Sequence, residues 1–159
     1  ARDKDACVAV MCLCEVAAYC KKHGMTLWDM MLQMYEKYGY FKETQYTITM
    51  KGVSGAKEIA ALMDKLRSNP PKAIGDAKVL KFRDYQENKI VDMETGAVSE
   101  TGLPRSNVLY FELPNNCWCC ARPSGTEPKI KFYMGVVGNS LEDAQARVEK
   151  LTEDLKAIL

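Results

Sequence analysis

Apolar residues recur at two different spacings along this chain, and the change from one to the other divides it near residue 40. Asp3 and Asp5 stand where a helix start favours acidic or capping residues. The apolar run Ala6 to Tyr19 follows, and Lys21-Lys22-His23-Gly24 supplies basic residues and a glycine stop. One buried helix is predicted there. Thr26 opens a second, with Asp29 three positions on in a variant of the capping box. Its stripe of Leu27, Met30, Met31, Met34 and Tyr38 lies at helical spacing and ends at Gly39.

From Thr44 the period falls to two. Tyr46, Ile48 and Met50 alternate with Thr47 and Thr49, as in a half-buried strand. Ser54 is placed to cap a third helix with stripe Ile59, Leu62, Met63 and Leu66, closed by Asn69-Pro70-Pro71. Residues 78–84 read as a short strand. The polar stretch 86–105, with Gly96, Gly102 and Pro104, reads as turns and loops. Three alternating segments follow at about 106–113, 117–122 and 129–137, most simply paired as an antiparallel meander. Ser140 caps a last helix, with Glu142 and Asp143 in its first turn and a stripe of Leu141, Ala144, Val148, Leu151, Leu155 and Ile158. The expected fold is α+β: a largely antiparallel sheet of four to five strands with two helices on one face, preceded by a two-helix segment. The helical pair, residues 1–40, is too small to be a domain and carries more apolar surface than one neighbour could cover.

Composition narrows the function classes. The chain has 159 residues, 47% hydrophobic and 27% charged, and its 22 Lys and Arg nearly balance 21 Asp and Glu. A net charge of +1 gives no general electrostatic reason to seek nucleic acid or an anionic membrane, so an anion site must be local. The most apolar run is interrupted by Glu15 and is shorter than the roughly 20 residues of a membrane span, and no signal-peptide pattern is present. The seven cysteines include one C-x-x-C spacing, Cys117 to Cys120, inside a predicted strand, and read as reduced thiols in a cytoplasmic protein. Cys117, Cys119 and Cys120 suit strand packing better than metal ligation, and no metal site is expected in this chain. His23, the one histidine, falls where a side chain caps helix carbonyls.

Candidate chemistry concentrates in Arg122-Pro123-Ser124-Gly125-Thr126-Glu127-Pro128-Lys129-Ile130-Lys131. Arg offers a planar fork matching phosphate, Ser and Thr add hydroxyls, and Gly lets backbone N–H groups turn toward an anion. Lys129 and Lys131 share strand parity and point to one face, opposite Ile130 and Phe132. A plain hairpin whose Pro, Ser and Gly only make the turn fits the same residues, and the pattern alone does not separate the two. No Walker A motif occurs.

This loop, followed by a capped amphipathic helix, resembles the phosphate-binding loop in the carboxyl-terminal domain of the α-D-phosphohexomutase superfamily, which includes phosphoglucomutases and phosphomannomutases. Arg2-Asp3-Lys4-Asp5, Lys37-Tyr38-Gly39-Tyr40 and Leu103-Pro104-Arg105-Ser106-Asn107-Val108-Leu109 are similar to segments of the branch holding bacterial phosphoglucomutases and their phosphopentomutase relatives. The resemblance implies that residues 1–40 are the helical tail of a third domain and residues 41–159 the phosphate-binding fourth domain. It implies that Arg122, Ser124, Gly125 and Thr126 hold the substrate phosphate that is not being transferred. Lys131 would add a cation where many relatives have arginine, and Lys4 would contact substrate. The phosphoserine, magnesium and sugar-reading loops of the family do not occur here, so this piece would be inactive alone, with no catalytic residue of its own. Mg2+ and the missing amino-terminal domains would then be partners of the full-length enzyme, and a sugar phosphate its substrate. Whether that sugar is glucose, mannose or a pentose stays open. A small nucleic-acid or protein-binding module is the rival class; near-neutral charge and the lack of an RNP-like aromatic pattern weigh against the first form.

Overall fold

The computed structural model describes residues 4–50 and 54–159, so Arg2 and Asp3 lie outside the described residues. Two compact units divide the chain between Tyr40 and Phe41.

The first unit is a helix pair, α1 (Ala6–Lys22) and α2 (Leu27–Tyr38). Asp5 caps α1 by accepting from the Val8 N–H at 3.0 Å. Thr26 and Asp29 close a reciprocal capping box on α2, with Asp29 N–H donating to Thr26 Oγ1 at 3.1 Å and Thr26 N–H to Asp29 Oδ2 at 2.7 Å. His23 ends α1, its Nδ1 lying 2.8 Å from the Tyr19 carbonyl. The expectation that α1 is buried is corrected. Val8, Val10, Met11 and Leu13 are exposed, Met11 by 67%, and Cys20 is the one buried residue of the helix. Apolar residues ring α1 on more sides than α2 can cover within this unit.

The second unit is built on β1 (Tyr40–Thr49), α3 (Gly55–Ser68), β2 (Ala73–Ile74), β3 (Ala77–Lys78), β4 (Lys81–Asp84), β5 (Lys89–Asp92), β6 (Val98–Ser99), β7 (Leu109–Glu112), β8 (Trp118–Pro123), β9 (Lys129–Gly138) and α4 (Leu141–Ile158). The main sheet has seven strands in the order β1-β9-β8-β7-β4-β5-β6, and β2 and β3 form a separate hairpin. From β9 to β6 every neighbour runs antiparallel. The α+β class holds, with more strands than the four to five expected. β5 and β6 lie in the stretch read as loop. They are short, Ile90 and Val91 are adjacent rather than alternating, and β5 pairs back on β4 across a turn in which Asn88 takes φ +54°.

The meander β7-β8-β9 follows the alternation. Pro114-Asn115-Asn116-Cys117 makes the first turn, with φ of +59° and +58° at the two asparagines and Cys117 N–H donating to the Pro114 carbonyl at 3.2 Å. α3 and α4 both pack on β9, and Ile59, Met63, Leu66, Val148, Leu151 and Leu155 fill the space over that sheet face. Ser140 caps α4 through the Asp143 N–H at 3.1 Å. Ser54 occupies the N-cap of α3 in a helical conformation without capping it. Its hydroxyl donates instead to the Glu58 carboxylate at 2.6 Å.

On the uncovered face Trp118 lies across Gly135, its partner in β9, where a Cβ would come within 2.3 Å of the indole nitrogen. Tyr110 stacks on Trp118 with ring centroids 5.7 Å apart, and Arg83 lies over the other side of Tyr110 while pairing with Glu112.

Candidate functional site

β8 and β9 deliver two cations to one place. In their register Arg122 stands directly opposite Lys131, and Pro123 opposite Ile130, so Arg122 and Lys131 project from the same, uncovered face. Their strand neighbours Ala121, Ile130 and Phe132 are fully buried on the other face, which fixes the parity. Slipping either strand by one residue would bury a charge.

Between the strands the loop turns tightly. Ser124 N–H donates to the Lys129 carbonyl at 2.8 Å, and Lys129 N–H donates to the Glu127 carbonyl at 2.7 Å around Pro128. The Pro128 carbonyl accepts from Met50 N–H at 3.0 Å, which anchors the loop to the residue after β1. Within it the N–H groups of Thr126 and Glu127 converge on the Ser124 hydroxyl oxygen at 3.4 and 3.3 Å. Two N–H donors bonded to one serine oxygen at long distances make a serine turn that points both donors to the same spot.

Arg122, Pro123, Ser124, Gly125, Glu127, Lys129, Lys131 and Tyr133 line a concavity of about 250 Å³. Of the residues expected from the sequence, Arg122, Ser124, Gly125 and Lys131 are brought together here. Thr126 is exposed and contributes its backbone N–H rather than a lining side chain. Lys4 belongs to the amino-terminal unit, one residue before the α1 cap, with φ +53°. Lys129 and Tyr133 are additional lining residues. Their signal in the sequence is parity: positions 129, 131 and 133 fall on one face. Glu127 pairs with Lys129 inside the concavity.

Chemically the arrangement can hold a small anion by charge and by directed N–H donors. Cys120, two residues before Arg122 on the same face, is no nucleophile in waiting. Burial pushes its thiol up to about 11, against a smaller downward pull from the Arg122 guanidinium. Cys119 is core, its pKa pushed further up by burial. Among the described residues no group of three or more His, Cys, Asp or Glu side chains is arranged to hold a metal, and no helix is long and apolar enough to cross a membrane.

No protein-family model matches the chain. A protein of Staphylococcus aureus strain bovine RF122 / ET3-1 named phosphoglucomutase is 35% identical over 150 residues, which is 94% of this chain and 27% of that protein. The proteins of the same name in strains USA300 and MSSA476 match over the same shares at 35% and 33% identity. Among solved structures, the exocytosis-sensitive phosphoprotein parafusin of Paramecium, described as a phosphoglucomutase and crystallised in an open form, superposes with a TM-score of 0.51. That superposition covers 96% of this chain and 27% of parafusin at 15% identity, a likeness of fold. The chain spans about a quarter of the length of these relatives.

Proposed function

We propose, from a chain that belongs to the phosphoglucomutase family over its matched 150 residues, that the β8–β9 loop grips the phosphate of a sugar phosphate that is not undergoing transfer. The observation that carries the reading is the pairing of Arg122 with Lys131 across the strands, beside a loop whose N–H groups converge on one point. A mutase that returns phosphate to the other end of the sugar must hold either end equivalently. Charge-assisted hydrogen bonds to phosphate do not depend on which carbon bears it. Carrying the loop on its own domain lets a cleft open for the sugar to turn and close for transfer.

In this reading residues 41–159 are the fourth, phosphate-binding domain of a full-length mutase, and residues 1–40 the helical tail of the third. The phosphoserine, the Mg2+ ligands and the sugar-reading loop are supplied outside this chain. Accordingly the chain alone turns over no sugar phosphate. Lys4 is a further substrate contact in the assembled enzyme. The names of the relatives make glucose the first sugar to test, ahead of mannose or a pentose.

The test is a titration of the 159-residue chain with inorganic phosphate and with glucose 1-phosphate, followed by amide NMR at constant ionic strength. Saturable shifts centred on residues 122–133, absent with chloride, are expected. A uniform, non-saturating response would overturn the reading and leave the loop as a plain hairpin.

A further inference from the structure

Glu127 is out of place in an anion site. Among the described residues lining the concavity it is the sole acid beside Arg122, Lys129 and Lys131. Its carboxylate nevertheless sits on Lys129 Nζ. The backbone enforces this closeness: Lys129 N–H donates to the Glu127 carbonyl at 2.7 Å in a three-residue turn whose centre is Pro128. The two partners are unequally held. The Lys129 side chain is 26% exposed and that of Glu127 59%, so the cation is fixed against the sheet while the carboxylate can leave into water.

We propose that Glu127 is a built-in competitor for phosphate, an intramolecular anion that occupies Lys129 in the empty loop and is displaced when phosphate enters. The proposal rests on the phosphate-binding reading above and adds Lys129 to the grip beside Arg122 and Lys131. Three cations and one carboxylate leave the concavity with a formal charge of two positive, close to the charge a phosphate monoester carries at neutral pH with opposite sign. Phosphate wins the exchange because it meets Arg122, Lys129 and Lys131 together, whereas the carboxylate reaches Lys129 alone. Release is correspondingly fast, since the vacated lysine regains a partner already tethered beside it. Easy release suits a loop that must exchange one phosphate of a sugar for the other. The Glu127 N–H, aimed at the Ser124 oxygen, belongs to the backbone and survives any side-chain change.

The experiment is a double-mutant cycle on the 159-residue chain with inorganic phosphate as probe, read by NMR titration at fixed ionic strength. Glu127→Gln removes the competing charge and keeps the shape. It should tighten phosphate binding by roughly three- to tenfold, the range of an exposed ion pair plus the like-charge repulsion it relieves. Lys129→Gln should weaken binding, and adding Glu127→Gln to it should recover little, because the contested cation is gone. Glu127→Ser, which also lacks the charge, should tighten binding as Glu127→Gln does. Unchanged or weaker binding by both Glu127 variants, with binding still lost in Arg122→Ala, overturns the competitor and leaves the phosphate reading intact. A full gain from Glu127→Gln in the Lys129→Gln background also overturns it, since the acid would then act by distant repulsion alone. If neither wild type nor Glu127→Gln binds phosphate saturably, both readings fall.

Discussion

On the helix-covered face of β8 and β9 stand Cys119, Ala121, Ile130, Phe132 and Met134, all 0% exposed. One residue away on the opposite face stand Cys120, Lys129, Lys131 and Tyr133, each half-buried, and Arg122, which is exposed. Same strands, same hydrogen-bond ladder, and the two sets do separate work. The covered side chains hold the sheet to α3 and α4 through apolar burial, while the uncovered ones present charge to water, on the face that carries the proposed anion site. Because the side-chain period of a strand is two, stability and binding can be altered independently at adjacent positions. A cation is aimed by the apolar neighbour that cannot point anywhere else.

The largest effect belongs to the covered face. Phe132→Ala should destabilise the chain by about 3–5 kcal/mol, since it empties a fully enclosed site. Lys131→Gln next to it should stay within about 0.5 kcal/mol. Urea denaturation of the two variants decides; equal losses would break the division of labour. Asp84 sharpens the comparison, being an ionised-type side chain that is 2% exposed on the covered side of β4. Its Oδ2 accepts from Arg67 Nε at 2.9 Å and its Oδ1 from the N–H of Gln86 at 3.0 Å. Asp84→Ala should cost about 3 kcal/mol, at the low end for a broken buried pair because Arg67 keeps Asp64 and Asn107. Phosphate binding measured below the unfolding transition should not change.

Next in size is Arg122→Ala. It removes a charge-assisted contact of about 1.5–3 kcal/mol, or roughly a 10- to 150-fold loss of phosphate affinity, with the melting temperature nearly unmoved. Arg122→Lys should restore part of it, since an ammonium cannot reproduce the planar fork. Isothermal titration with phosphate checks both. A matching fall in melting temperature would mean that the uncovered face is structural after all.

What the sequence made legible was decided locally. The capping side chains Asp5, Thr26, Asp29 and Ser140 each reach a backbone N–H within four residues, and the meander keeps its alternation because one face is buried along its length. Less legible were features that depend on a neighbour. β5 exists by pairing on β4 and β6 by pairing on β5, and β1 begins at Tyr40 rather than Thr44, with Phe41, Lys42 and Glu43 exposed along a sheet edge. In the candidate site parity put Lys131 on one face of its strand, but setting Arg122 opposite it took the β8–β9 register. Lys129 and Tyr133 obeyed the same parity and went unassigned. The ion pair of Glu127 with Lys129 depends on a three-residue turn that no periodicity announces.

The smallest expected effect ties the two faces together through a thiol. Burial raises Cys120 to about 11, and the nearby Arg122 guanidinium lowers it from what burial alone would give. An unfolded cysteine ionises near 8.5, so the folded chain holds this proton more tightly than the unfolded chain does. The stability that follows is fully present below about pH 8.5 and is lost as pH rises through about 11. Cys120→Ser should therefore flatten the alkaline fall of stability in that window, with the remaining slope owed to groups such as Tyr110, which burial also raises. Arg122→Ala withdraws the guanidinium's pull toward the thiolate, so alkylation of Cys120 at pH 9–10 should slow relative to the parent chain. Cys119, fully enclosed and raised further, should resist alkylation in both. Mass spectrometry of the alkylated chain reads all three rates. If Cys119 reacts as fast as Cys120, the hairpin opens on that timescale and its two faces are not chemically separate. If Arg122→Ala leaves the Cys120 rate untouched, the guanidinium points away from the sheet, and its place in the phosphate grip is wrong as well.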